Sequence, residues 1–240
     1  MMNLQTFVIS LQRSLQRREK AQSELSRTKL SWAFLDAVDG SKLQYPIPEY
    51  KSKKVNRLLG FDMTPNEIGC YLSHRLGWQA CVDRNIPTLI FEDDFILLPD
   101  FETCLEILLL EFTDWQLVRL QALTECEHDT VKKLGKATIV KNHGDPLGAT
   151  AYIVKPQAAR MLLEHSKNIF EPLDHFLEHE RKHGVEMLAI KPYPVTISRA
   201  QSTIADRPSD RQSVRGLKKM SRSFYRFMDR LFASDPWFPK

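Results

Sequence analysis

Thr88-Leu89-Ile90-Phe91 runs directly into Glu92-Asp93-Asp94, and a second apolar run, Phe95 to Leu98, follows at once. An apolar tetrad preceded by Pro87 predicts a buried strand. Three adjacent carboxylates at its end raise one another's pKa, so the arrangement calls for a cation. Alternation along a strand turns Glu92 and Asp94 to one side and Asp93 to the other. Two carboxylates at i and i+2 suit a hard divalent ion such as Mg²⁺ or Mn²⁺. The plain alternative is a solvated acidic turn; the buried strand before the triplet and the apolar run behind it favour a site.

At 240 residues the chain can bury a substantial core as one domain with an appendage. Its apolar runs are far too short to span a bilayer. The N-terminus has neither a basic region nor a small-residue cleavage site, so no signal peptide is expected. Cys70, Cys81, Cys104 and Cys126 show no C-x-x-C spacing and read as reduced packing residues, neither a disulfide framework nor a zinc site.

Charge is unevenly placed. Residues 205–240 hold nine Lys/Arg against four Asp/Glu, while residues 1–204 hold 25 against 26. The neutral body argues against nucleic acid as a partner, and the basic end points to a polyanionic surface. From Gln212 to about Ser234, Val214, Leu217, Met220, Phe224, Phe227, Leu231 and their neighbours recur at helical spacing between basic residues. Such a basic amphipathic helix suits an anionic membrane surface; packing the same stripe on the domain is the alternative.

Strand and helix patterns alternate along the body, which predicts an α/β domain over 1–204 with a mainly parallel central sheet. Leu4 to Leu11 reads as a first strand, breaking into a basic turn (Arg13, Arg17, Arg18) and a helix to about Lys29. Open α/β folds bind ligands beyond the carboxyl ends of their strands, which makes Arg13 a phosphate candidate; Arg18 reads as a solvated helix face. Asp36, closing the second strand, is placed for a ribose or base contact. Residues 44–57, with two prolines and no period, read as a loop. Thr64-Pro65-Asn66-Glu67 is a helix start, with Thr at the N-cap, Pro at N1 and Glu at N3; the helix should run to about Arg84, burying Ile68, Tyr71, Leu72, Leu76 and Cys81. His74 lies within it, where a lone histidine is more often a packing residue than a catalyst. Gly148 to Val154 is a strand whose small first residues allow close approach by a ligand. A helix from about Glu171 to Gly184 carries His175, His179 and His183 every four residues; a metal stripe is conceivable, but a solvent-facing row is the expectation.

Several stretches together resemble glycosyltransferase family 25, the lipopolysaccharide and lipooligosaccharide glycosyltransferases. They are Val8-Ile9-Ser10-Leu11 with Arg13-Ser14 and Arg17-Arg18, Asp36-Ala37-Val38-Asp39-Gly40, Glu67-Ile68-Gly69-Cys70-Tyr71-Leu72-Ser73-His74, Leu89 to Asp94, Gly148 to Val154, Pro172-Leu173-Asp174 and Ser202-Thr203-Ile204. The E-I-G-C-x-L-S-H block followed by E-D-D is the specific part. Asn66 and Ala151 stand where glycine is common in the family.

The resemblance implies a GT-A fold and inverting transfer of a hexose from a UDP-sugar, galactose first and glucose second, to a lipooligosaccharide core. It implies Mn²⁺ or Mg²⁺ on Glu92 and Asp94, and donor contacts from Ser10, Arg13, Asp36, His74, Glu92, Asp93, Ser202 and Thr203. Inversion needs one base, and Asp174 is placed there, at a helix start outside the acidic triplet. The expected location is the cytoplasmic face of a Gram-negative inner membrane, with the basic tail on the lipid. A catalytically inactive binding protein is the alternative. A metal-dependent phosphohydrolase would need an aspartate at the end of the first strand, where Ser10 and Arg13 stand.

Overall fold

The computed structural model describes residues 4–198. The basic tail, Ser202 and Thr203 lie outside the described residues, as does the expected boundary at 204.

The elements run β1 (Gln5–Ser10), α1 (Leu15–Leu25), β2 (Trp32–Asp36), a 3₁₀ turn (Gly40–Lys42), α2 (Ser52–Leu59), α3 (Pro65–Arg84), β3 (Thr88–Glu92), β4 (Phe95–Leu97), α4 (Phe101–Glu111) and β5 (Leu117–Arg119). They continue as β6 (His128–Leu134), β7 (Ala137–Asn142), β8 (Ala151–Val154), α5 (Pro156–His165), α6 (Leu173–Glu178), α7 (Glu180–His183), β9 (Met187–Lys191) and β10 (Val195–Ile197). The main sheet has the order β2-β1-β3-β8-β5-β9-β7-β6. β1 is parallel to β2 and β3, and β5 to β9, whereas β8 and β7 run against their neighbours. The result is a single mixed α/β domain: most strands share one direction, with two reversals.

Side chains alternate through the pleat, so neighbouring residues feed opposite layers. Leu89 and Phe91 of β3 join Val8, Val118 and Ile153 in one core, which α1 and α4 cover through Ala21, Leu25, Leu105 and Leu108. Ile90 joins Ile9, Leu117 and Tyr152 in the other, covered by α3, α5 and α6. Burial on both faces explains why β1 and β3 read as continuous apolar runs in place of an alternating pattern.

α3 begins where Thr64-Pro65-Asn66-Glu67 places it. Thr64 Oγ1 accepts from Glu67 N at 3.2 Å, and the Glu67 carboxylate accepts from Thr64 N at 2.8 Å. Reciprocal bonds of this kind satisfy two donors that a helix start leaves orphaned. Trp78, absent from the expected buried face, is fully enclosed, while Leu76 is exposed. The helix lies unusually close to the turn after β2. A Cβ on Gly69 would fall 2.7 Å from Val38 O and 2.9 Å from Gly40 N, and one on Gly40 would strike the Pro65 carbonyl. Only glycine permits that approach. Ser73 secures it, accepting from Val38 N at 2.8 Å and donating to Gly69 O at 2.6 Å.

Three expectations are corrected. Residues 44–57 are not loop throughout, because α2 starts at Ser52 and buries Val55 and Leu58, ending on Gly60 in the left-handed region. The helix expected from Glu171 to Gly184 is two short pieces broken at His179. His183 is not solvent-facing: Val185 N donates to its Nδ1 at 3.1 Å, its Nε2 meets Leu177 O at 3.3 Å, and burial pushes its pKa down to about 4. His179 pairs instead with Glu171 at 2.8 Å, so the histidine row does not converge on a metal.

The last described strand, β10, pairs antiparallel with β4, and beyond it Ser198 N donates to Asp94 O at 2.7 Å.

Candidate active site

β3 ends at Glu92, and Asp93 and Asp94 form the turn that leads into β4. The strand alternation expected across the triplet therefore stops at its first member. Asp93 and Asp94 share one partner, Arg17 of α1: Nη1 lies 2.7 Å from Asp93 and Nη2 3.3 Å from Asp94. Glu92 turns toward Cys70 and His74 of α3 and Thr150, the residue before β8. All three acids border an open cavity of about 340 Å³, together with Ser10, Arg13, Arg17, Cys70 and His74.

Asp93 is 8% exposed and accepts a 2.6 Å hydrogen bond from Ser10 Oγ. Burial pushes its carboxyl up, against the pull of Ser10 and Arg17. Its partners hold it as a brace between β1, α1 and the turn. Asp94 has one buried oxygen, Oδ1, without a partner among the described residues. Burial first, then the neighbouring charge of Glu92, pushes Asp94 up to about 7, with Arg17 opposing. A buried carboxylate oxygen with a free lone pair, beside two further acids, is a donor set that suits a hard divalent cation. The residues fit such an ion.

Glu92 is the best-supported of the three. Thr150 Oγ1 donates to it at 3.2 Å, Cys70 Sγ at 3.5 Å, and His74 Nε2 stands 3.3 Å away. Burial works to raise its pKa, but the contacts with His74, Cys70 and Thr150 outweigh it and hold the group low. His74 is itself fixed from behind. Its Nδ1 lies 2.8 Å from the Tyr152 hydroxyl, which also accepts from Trp78 Nε1 at 2.9 Å. His74 is thus both an enclosed packing residue and the support of Glu92.

Other expected residues are more dispersed. Arg13 borders the cavity but makes a two-pronged pair with Asp39, both bonds 2.9 Å. That guanidinium holds the Asp39 carboxyl far below the usual range. Asp36 is occupied by Arg18 and by Gln12 Nε2 at 2.7 Å, and it does not border the cavity. Arg18 is no solvated face, since it also donates to Ser10 O at 2.9 Å and covers the Phe34 ring. Asp174 stands in the first turn of α6, outside the cavity lining, and accepts from His175 N at 3.0 Å. It is close enough for its charge to act on Cys70 and Arg119.

Arg17, Cys70, Thr150 and Tyr152 are the site residues that were not singled out from sequence. Each contacts an acid or histidine 22 or more positions away; for Cys70 the i+4 spacing to His74 is the one local signal.

Residues 3–177 match the model of glycosyltransferase family 25 (LPS biosynthesis protein). The chain belongs to glycosyltransferase family 25. It is similar to the lipooligosaccharide biosynthesis protein lic2B of Haemophilus influenzae, 31% identical over 168 residues, covering 66% of this chain and 62% of that protein. It is also similar to the inactive glycosyltransferase 25 family member 3 of Mus musculus, 31% identical over 186 residues, 72% of this chain and 31% of that one. The chain thus spans less than two thirds of either relative. A Drosophila galactosyltransferase 7 mutant, solved with manganese, UDP-Gal and xylobiose, aligns over 92% of this chain and 80% of its own with 12% identity and a TM-score of 0.42, too distant to bear on the site.

Proposed function

We propose that the chain is an active hexosyltransferase of the GT-A kind that moves galactose, with glucose the second choice, from a UDP-sugar to a lipooligosaccharide core with inversion. The observation that carries this is an Asp94 oxygen, buried and unpartnered among the described residues, in an acidic turn at the carboxyl end of β3 whose three carboxylates border one cavity with Arg17. Family membership and the similarity to a lipooligosaccharide biosynthesis protein support the substrate class.

Asp94 and Glu92 would hold Mn²⁺ or Mg²⁺, which when bound neutralises charge developing on the leaving diphosphate. The chain's own residues supply the rest. Asp93, fixed by Ser10 and Arg17, keeps the turn at the cavity edge. Arg17 offers a guanidinium that fits phosphate oxygens once a cation takes over its acids. Arg13 and His74 complete the donor side among the described residues, His74 by orienting Glu92, while Asp36, expected there from sequence, lies off the cavity and pairs with Arg18. Ser202 and Thr203 are further donor contacts by the family pattern. Asp174 is the base that takes the acceptor hydroxyl's proton. The whole works at the cytoplasmic face of a Gram-negative inner membrane, with residues 205–240 as a second unit that meets anionic lipid. No helix among the described residues is long and apolar enough to cross a membrane.

The inactive mouse relative favours one second reading, a sugar-binding protein without turnover. A panel of UDP-galactose, UDP-glucose, UDP-GlcNAc and UDP-GalNAc with Mn²⁺, read by UDP release, separates the two. Release from UDP-galactose above all others is expected. UDP binding without release from any donor would establish the inactive reading instead.

A further inference from the structure

Cys70 and His74 are one helical turn apart on α3 and so share a face. Glu92 meets both from β3. One carboxylate oxygen, Oε1, lies 3.3 Å from His74 Nε2 and 3.5 Å from Cys70 Sγ, and the three ligand atoms all fall within 4.8 Å of one another. In a tetrahedral zinc site, S, N and O ligands at their usual bond lengths stand about 3.4–3.6 Å apart. The spacing about Glu92 already matches; side-chain rotation alone has to bring sulfur and nitrogen together.

The surroundings suit a cation as well. A ligating histidine normally has its second nitrogen fixed by a hydrogen bond, and Tyr152 holds Nδ1 at 2.8 Å. All three residues border the cavity, so a fourth position faces the open side, where water or a phosphate oxygen completes the set. Sequence spacing pointed away from zinc because the chain has no C-x-x-C pair; folding assembles the set from α3 and β3.

We propose that Cys70, His74 and Glu92 form a second metal site, selective for a soft or borderline divalent cation of the zinc class, which withdraws Glu92 from the donor cavity. Thiolate sulfur and imidazole nitrogen favour zinc over magnesium and manganese, whereas the acidic turn offers oxygen alone. The two sites share Glu92: with Oε1 on the metal at Cys70 and His74 and Oε2 held by Thr150 at 3.2 Å, neither oxygen is left for the acidic turn. Binding displaces the Cys70 proton to solvent as the sulfur joins the metal. Zinc therefore acts as an inhibitor; this consequence rests on the donor role given to Glu92 above, while the site itself does not.

Cobalt(II) titrated into the full chain in place of zinc tests the site without reference to activity. A thiolate-to-cobalt charge-transfer band should appear, be displaced by Zn²⁺ but not by Mg²⁺, and vanish in Cys70→Ser and Cys70→Ala. His74→Gln should weaken cobalt binding at least tenfold. A band that persists in both Cys70 variants, or cobalt binding with no such band, overturns the site. In the same protein, Zn²⁺ should weaken Mn²⁺-dependent UDP binding at least tenfold in the parent and leave Cys70→Ser unaffected. Equal loss in both overturns the withdrawal of Glu92. If the cobalt band behaves as stated while no UDP-sugar is bound or turned over, the metal site stands and the donor role falls.

Discussion

Arg17 Nη1 lies 2.7 Å from Asp93 Oδ1, tying the first helix to the turn that closes the third strand. The same guanidinium reaches Asp94, so one cation serves a buried acid and a half-buried one. Arg17→Gln leaves both without a counter-charge, and removing one partner of a buried pair costs several kcal/mol. Urea denaturation should show a loss of about 2–4 kcal/mol, and Mn²⁺ should restore part of it by replacing the missing charge. An unchanged midpoint would mean that the acids are solvated.

Asp94 gives a pH signature. Its folded pKa, about 7, lies above the ordinary carboxylate value of about 3.9. A raised pKa means that the folded state binds the extra proton. The stabilisation is complete below the unfolded value and is lost as pH rises from there through about 7. Metal-free Asp94→Asn should melt higher than the parent above neutrality, with the gap closing on acidification. Mn²⁺ should raise the parent's melting temperature and have little effect on the variant. A parent that melts higher than Asp94→Asn at every pH without metal would contradict the buried, unpartnered oxygen.

Asp174→Asn separates chemistry from binding. Loss of a general base typically costs 10²–10⁴-fold in turnover. Turnover of UDP-galactose onto an acceptor should fall within about that range while UDP affinity stays within about twofold, because Asp174 lies outside the donor cavity lining. A parallel loss of UDP affinity would remove Asp174 from the base role.

What was legible in the sequence was local. The start of α3 could be placed because capping is decided within four residues, and β3 could be placed because a strand buried on both faces has no polar interruption. The helix α2 was hidden by Pro46 and Pro48, which precede it; Gly60 was its one clear punctuation. β6 carries no apolar period because six of its seven residues are exposed. The acids of the site were visible as a costly cluster, but their supports were not. Arg17 looked like one basic residue among several, and its partners are more than seventy positions away. Tyr152 reads as core, which it is, and only packing brings its hydroxyl to His74; Trp78, absent from the expected buried face, donates its indole N–H to that same hydroxyl.

Gly69 tests how tightly the cavity wall is set. Real Cβ atoms do not approach a carbonyl to 2.7 Å, so Gly69→Ala must push Val38 and Gly40 away from α3. Both residues border the cavity. Forced backbone shifts of this kind cost about 1–3 kcal/mol. Thermal melts should show that loss, and UDP titration should show weaker binding than the parent. A variant with parental stability and affinity would mean that the turn moves freely.

Ser198 N, just past β10, grips Asp94 O from behind. The route from the described body toward residues 199–240 thus starts at the acidic turn itself. Load applied to the chain beyond Ser198, whether by a surface, a partner or a fused protein, is borne first by the backbone of Asp94. The turn is therefore also an anchorage: a pull from the C-terminal side reaches the residue proposed as the metal ligand through one backbone hydrogen bond.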